Sequence, residues 1–519
     1  MATVRLAEVL GGLTLACDVA GANLPEKALR TAILAVELGR RHGLGEADLR
    51  DAFYVSLLRY VGCVGFAHEE AHVYGAGDDI STRRLLAMAD DGDPIGTVRR
   101  IVTRLGKGGP LRARATAVAR ILGDGVAVAG HAAAQCDASI QFAELAAMGP
   151  RVSGALAAIC ERWDGKGHPA HARGEAIPIA ARLHHVADVV EIALQRRGRD
   201  AALAIARKRA GGAMDPALVR TFAAHAAELL ALVSGPTVWD AFVACEPRPH
   251  AEAGPARLDD VARGFAHLAD LKSVWTLGHS TGVAALAVRA AQHAGLPEPE
   301  IVDLRRAAWL HDLGRISVPN SVWDKPGALS AAEWERVRMH AYWTERSLWQ
   351  ARPLRALAQL AAGSHERADG SGYHRALPGS AIARAARILA AADAHHAMRE
   401  ARAHRPALGA SAAARNLLAD VAAGRLDREA VAAVLAAAGG ATPKLPGWPC
   451  ALTDREVEVL RLVARGHSNK QIGAALGISA RTVQHHVAHV YAKIGVSSRA
   501  GAALFTMEHG LSEFHHSGP

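Results

Sequence analysis

The stretch AAWLHDLGRISVP, residues 307–319, decides how this chain reads. Ala307, Ala308 and Leu310 form an apolar helix face that ends by delivering an imidazole and a carboxylate side by side, His311 and Asp312. Leu313-Gly314 then breaks the helix. Two polar groups at the end of an apolar face are costly to bury without a partner. Imidazole and carboxylate together suit a divalent cation, Fe, Mn, Zn or Mg. A lone His-Asp pair says little. Its weight comes from ligand-type side chains that recur on both sides of it, His279, His340, His365 and Asp393.

The 519 residues exceed what one core can organise, so several domains are expected. Half the residues are apolar, only 4% are aromatic, and alanine fills most runs, which is the make-up of an all-α protein. A net charge of +9 permits a polyanionic partner without requiring one. The six cysteines (Cys17, Cys63, Cys136, Cys160, Cys245 and Cys450) form no CxxC pair, so a reduced, cytoplasmic setting is expected. The N-terminal stretch carries Glu8 and Asp18 and fits neither a signal peptide nor a membrane span. No membrane contact is expected.

Pro/Gly-rich stretches at 245–258 and 438–450 read as linkers and divide the chain into 1–245, 255–437 and 447–519. The first two pieces look like copies. GLGEADLRDAFYVSLLRYVGC (43–63) aligns ungapped with GLPEPEIVDLRRAAWLHDLGR (295–315), and CERWDGKGHP (160–169) with HERADGSGYH (365–374). In both copies an Asp, Asp188 or Asp393, follows 28 residues later. Where the second copy has His279, His311, Asp312, His340, His365 and Asp393, the first has Lys27, Arg59, Tyr60, Gln135, Cys160 and Asp188. Lys and Arg repel a cation, so the first copy is expected to be a regulatory, dimerising or scaffold module. His184-His185 lacks further ligands at suitable spacing.

The second copy's set, His279, His311-Asp312, His340, His365-Glu366, Asp369-Gly370-x-Gly372-Tyr373 and Asp393, resembles the HD-GYP branch of the HD phosphohydrolase superfamily over about 255–400. The resemblance implies a helical, metal-dependent phosphodiesterase acting on a phosphorylated small molecule such as a cyclic dinucleotide, cyclic di-GMP among them. It implies that His279, His311, Asp312 and Asp393 hold one cation. His340 and His365 would add a second, with Asp312 bridging. Asp312 and Arg315 would be catalytic, and Arg315, Asp369, Gly370, Gly372 and Tyr373 would meet the substrate. The chain departs from the family where Ser364 replaces a first His, Arg315 a Lys and His374 the Pro of the signature. A carboxylate that some members carry falls at Trp275. His395-His396 read as solvated, and ERVR (335–338) as a solvated helix face.

Residues 452–511 show four helical segments punctuated by Gly466, Gly477 and Gly495. Thr453 with Glu456 forms a capping box, and Ser479 can cap the third segment. Val483, Val487, Val490 and Ile494 make one buried stripe. TDREVEVL, ARGHSNKQIGAALGIS and RTVQHHVAHVYAKIGV resemble the LuxR/NarL-type helix-turn-helix domain. That resemblance places the third helix in the major groove of double-stranded DNA and the fourth at a homodimer contact. Lys470, Arg481, Thr482, Val483, Gln484, His486 and Lys493 are carried over as DNA contacts. Phosphate partners would set the register, and Gln484 and Val483 would touch base edges. The expected whole is two helical HD-like domains followed by a four-helix LuxR-type domain. It reads as a DNA-binding regulator that hydrolyses or senses a phosphoester. Its rivals are a phosphodiesterase with a DNA-localising tail and a catalytically dead sensor.

Overall fold

In the computed structural model the all-α expectation holds. The structure describes residues 3–20, 25–62, 136–439, 448–509 and 511, with isolated positions between 79 and 119. Gln135 and Cys63 lie outside the described residues. The strands described are Val4–Arg5 and Glu252–Ala253, paired antiparallel. The chain divides between Leu258 and Asp259 into two compact units.

In the first unit the helices Leu6–Ala20, Lys27–Arg41, Glu46–Leu58 and Ile179–Arg197 carry the core. The stretch read as a linker at 245–258 is structured. Glu246 is buried and accepts from the Tyr54 hydroxyl at 2.7 Å. Residues 252–253 form the second strand, and a helix starts at Pro255. Pro and Gly here punctuate short elements and do not free the chain.

In the second unit the helices His279–His293, Glu298–Leu310, Arg384–Arg399, Ala410–Ala422 and Arg428–Ala438 share one core. Alanines line it, among them Ala287, Ala290, Ala308, Ala390 and Ala391, so these helices pack with little between them. The helix Ala331–Gln350 starts at a capping box of Ser330 and Glu333. It lies against the turn that follows His311-Asp312. A Cβ on Gly314 would come within 2.0 Å of the His340 carbonyl oxygen, so only glycine lets the two segments touch. The contact is tied by Gly314 N–H donating to Thr344 Oγ1 at 2.9 Å and by Thr344 Oγ1 donating to the His311 carbonyl at 3.1 Å.

The two units repeat the same internal bonds. Asp18 accepts from Ala28 N–H at 3.2 Å, and Asp270 from Ser280 N–H at 2.9 Å, each at the start of the next helix. Arg182 donates to the Ile177 carbonyl and to Asp215; Arg387 donates to the Ile382 carbonyl and to Asp427. Glu161 accepts from Ala170 N–H, and Glu366 from Arg375 N–H. A Cβ on Gly167 would sit 2.4 Å from Glu161 Cα, and one on Gly372 would sit 2.6 Å from Glu366 Cα.

The last four helices are Asp454–Ala464, Asn469–Leu476, Ala480–Ile494 and Arg499–Glu508. Capping boxes at Thr453/Glu456 and Ser468/Gln471 and a cap at Ser479 start the first three. Their core holds Val457, Leu460, Ile472, Val483, Val490 and Phe505. A Cβ on Gly473, inside the second helix, would meet the Ile478 carbonyl oxygen at 2.6 Å, which fixes glycine where the tight turn to the third helix folds back on the second.

Candidate metal centre and nucleic-acid interface

All six ligand-type residues of the second unit meet around Asp312. Its Oδ2 lies 3.4 Å from His279 Nε2 and 3.4 Å from His311 Nε2. Its Oδ1 lies 3.2 Å from His340 Nε2 and 3.7 Å from His365 Nε2. Asp393 Oδ1 is 3.1 Å from His279 Nε2 and 3.7 Å from His311 Nε2, and its Oδ2 is 3.6 Å from His365 Nδ1. His279 opens its helix, His311 closes the Glu298–Leu310 helix, and Asp393 lies within Arg384–Arg399. The centre is buried: His279, His311, Asp312 and His340 are 0–2% exposed.

The imidazoles are pre-aimed. His311 Nδ1 donates to the Ala308 carbonyl at 2.8 Å, and His340 Nδ1 donates to the Val337 carbonyl. Each bond fixes the tautomer and leaves the Nε2 lone pair pointing inward. His311 Nε2, His340 Nε2, His365 Nε2 and Asp312 Oδ1 are buried without a hydrogen-bond partner. Lone pairs of imidazoles thus face carboxylate oxygens, acceptor against acceptor. Only positive charge between them makes the arrangement favourable, so the donor set fits a divalent cation. Burial would lift the Asp312 carboxyl, but Arg315 and the surrounding imidazoles hold it well below the usual carboxylate range. Burial pushes His365 down to about 4, which leaves it neutral at pH 7. Burial would also lower His279, but Glu400 and Asp393 outweigh it and lift it to about 10.

The equivalent point of the first unit holds a cation that the chain supplies itself. Lys27 opens its helix as His279 opens its own, and its ammonium pairs with Asp188. Glu191 lies 3.6 Å away, and the Tyr60 ring centroid 4.4 Å away. Tyr60 donates its hydroxyl to the same Asp188. His184 faces Ser56, and His185 faces the Ile159 carbonyl. Burial pushes both imidazoles down, His184 to about 3.

A cavity of about 420 Å³ opens beside the second unit's centre. Arg315 reaches it while donating to Asp312 Oδ2 at 2.6 Å and lying 4.3 Å from the Trp323 ring centroid. Tyr373 lines it, stacked on His365 with centroids 4.7 Å apart. Of the residues expected to meet substrate, Asp369, Gly370 and Gly372 are absent from the cavity lining. Asp369 is exposed and accepts from Ser371 N–H and Oγ–H within its own turn. Ser364 is fully buried, and its hydroxyl has no hydrogen-bond partner. His374 and Arg375 both reach Glu345, tying the signature loop to the Ala331–Gln350 helix. The expected solvated character of His395-His396 is corrected: His395 is 8% exposed, and His396 packs on Gly282 and lies 3.2 Å from Glu400. Glu400 and Arg402 escaped the sequence reading, because neither belongs to a ligand spacing.

In the third of the last four helices, Arg481, Thr482 and Gln484 are exposed, as is Lys470 on the second, and His486 is half-buried. Val483 is corrected: at 0% exposure it belongs to the core and offers no surface to a base. The residue cannot serve both the buried stripe and the groove. Lys493 is turned to Glu456 at 2.7 Å and to the Ala451 carbonyl. Residues 500–507 of the fourth helix are all buried within the single chain, so the face expected at a dimer contact is covered.

Comparison with known proteins matches two stretches of the chain. The family profile described as HD domain matches residues 263–430, and that of bacterial regulatory proteins, luxR family, matches 450–506. The 3'3'-cGAMP-specific phosphodiesterase 3 of Vibrio cholerae is 30% identical over 376 residues, covering 72% of this chain and 81% of that protein. A crystal structure of a cyclic GMP-AMP specific phosphodiesterase of V. cholerae superposes with a TM-score of 0.59 at 25% identity, over 86% of this chain and 99% of the other. The transcriptional regulatory protein YhcZ of Bacillus subtilis is 49% identical over 61 residues, 12% of this chain and 28% of that protein. HD-domain phosphodiesterases are metal-dependent, and LuxR-type domains bind DNA. No described helix is long and apolar enough to cross a membrane. The chain belongs to the HD-domain phosphodiesterases, in a form fused to a LuxR-type DNA-binding domain.

Proposed function

We propose that the second unit carries a metal-dependent phosphodiesterase for a cyclic dinucleotide, whose state is passed to the DNA reader that the same unit contains. The observation that carries this reading is the ring of inward lone pairs around Asp312, at the point where the first unit keeps the Lys27 ammonium. His279, His311, Asp312 and Asp393 would hold one ion. His340 and His365 would hold a second, with Asp312 offering one oxygen to each group. A set rich in imidazole favours Fe, Mn or Zn over Mg. A bound ion would supply positive charge to the phosphoryl group and acidify water there.

The chain's own residues do the rest. Arg315, fixed by Asp312 and Trp323, puts a permanent cation at the cavity wall, where a phosphodiester's charge needs balancing. Lys325 and Arg402 add two more. Trp323, Trp334 and Tyr373 give flat apolar walls suited to a nucleobase. The V. cholerae relatives are cGAMP-specific by name, so 3'3'-cGAMP and cyclic di-GMP are the substrates to try first.

In the reader, Lys470 and Thr482 would take phosphates, and Arg481, Gln484 and His486 would face the major groove of double-stranded DNA. A homodimer through the fourth helix would require that helix to be uncovered.

Metal analysis of freshly purified protein should find a transition metal, lost on His311→Ala and on Asp312→Ala. The wild type should linearise a cyclic dinucleotide, and both variants should be inactive. Wild-type protein free of metal and inactive on every cyclic dinucleotide and simple phosphodiester tried would end the enzymatic reading.

A further inference from the structure

Two imidazoles of the centre are steadied by their own helices: His311 and His340 each donate Nδ1–H to the carbonyl three residues back. His279 lacks that support. It is the first residue of its helix, preceded by Gly278 in the left-handed region (φ 80°), so no carbonyl of its own helix lies behind it. Its Nδ1 instead meets Glu400 Oε2 at 2.9 Å. A carboxylate only accepts, so Nδ1 donates to Glu400, while Nε2 faces Asp393 Oδ1 at 3.1 Å and Asp312 Oδ2 at 3.4 Å, where a bound cation would take the place of its proton.

Glu400 is itself held. It follows the Arg384–Arg399 helix, on the side of the chain that carries Asp393. Arg402 donates to its Oε2 at 2.7 Å, and His396 Nδ1 lies 3.2 Å from its Oε1. Arg402 is anchored in turn by donating to the Trp275 carbonyl. The His396 ring fits because position 282 is glycine: a Cβ there would lie 2.1 Å from its Nε2.

We infer that Glu400 is the positioning residue for His279, fixing by its bond to Nδ1 the tautomer that turns Nε2 into the centre. This rests on the metal reading above. An outer carboxylate of this kind orients a ligating imidazole and makes it more basic, and its loss typically costs about 10–100-fold in metal affinity. The affinity of the centre therefore depends on a residue that need not touch the ion.

The test is competition of full-length protein against a chelator for Zn²⁺ and Mn²⁺, with Glu400→Ala, Glu400→Gln, His279→Ala and the double variant His279→Ala/Glu400→Ala. Glu400→Ala is expected to weaken metal binding about 10–100-fold. Glu400→Gln, whose amide oxygen still accepts from Nδ1, should stay within a few-fold of wild type. In the His279→Ala background, Glu400→Ala should add nothing, because it acts through that imidazole. Glu400→Leu, of similar bulk, takes the place of Glu400→Ala if the latter does not fold, with the same outcomes. Unchanged affinity in Glu400→Ala, or an equal further loss in the His279→Ala background, overturns the inference. Wild-type protein that binds neither ion overturns the metal reading with it.

Discussion

Positions 27 and 279 open equivalent helices, and the choice of side chain there separates a tethered ammonium from an imidazole that would take a free ion in the proposed reading. The Lys27 ammonium balances Asp188 and sits close to Glu191, all three of them little exposed. Lys27→Met takes the ammonium away from both carboxylates and leaves Asp188 with the Tyr60 hydroxyl, and removing one partner of a buried pair in this way costs about 3–5 kcal/mol. Denaturant unfolding should show that loss, and a change below about 1 kcal/mol would mean that the carboxylates find another partner. Nearby, burial lifts the Asp18 carboxyl from 3.8 to about 8, against the pull of Lys27. The folded chain then holds a proton that the unfolded chain releases, so stability is full below about pH 4 and falls as pH rises toward about 8, by up to about 1.4 kcal/mol per pH unit. Asp18→Asn should flatten that window, read as wild type minus variant in unfolding at pH 5, 7 and 9. The six inward-facing residues were legible because their types and order carry meaning. Glu400 was not, since it acts through another residue's ring nitrogen and no spacing marks it. Val483 fitted two patterns in the sequence, and burial decided between them.

At the scale of elements, one glycine holds the chemistry in place. Gly314 lets the turn after Asp312 rest on the His340 carbonyl. Gly314→Ala should push the Ala331–Gln350 helix away, destabilise by about 1–3 kcal/mol and lower metal content by displacing His340; thermal melts and metal analysis check both. In the reader, Gln484→Ala should change which DNA sequence is preferred. Lys470→Ala should weaken all sequences alike and reduce the salt slope by about 1. Binding isotherms over a salt series separate the two, and identical effects would misplace the third helix. Helix starts were readable from Thr453/Glu456 and Ser479, whose caps the structure contains. The stretch 245–258, read as a linker, holds a strand and a helix start up to the point where the chain divides, because Pro and Gly punctuate such elements as readily as they free a chain.

For the whole molecule, the all-α class followed from abundant alanine, and the duplication from two ungapped matches. The repeated bonds of Asp18 and Asp270, and of Arg182 and Arg387, give that repeat a physical form. The burial of the fourth reader helix was not legible, because an apolar helix face does not say whether its own chain or a second copy covers it. The Lys27 pair has one more consequence. A charge tethered to the backbone can be neither stripped by a chelator nor exchanged for another element, whereas a bound ion stabilises only in proportion to its supply, by about 2.7 kcal/mol at a hundredfold excess over its dissociation constant. If the second unit binds an ion as proposed, the first, whose described centre is closed by Lys27, becomes an internal standard, and only the second should melt in step with the cell's trace-element economy. EDTA in a calorimeter should move one transition and leave the other where it was.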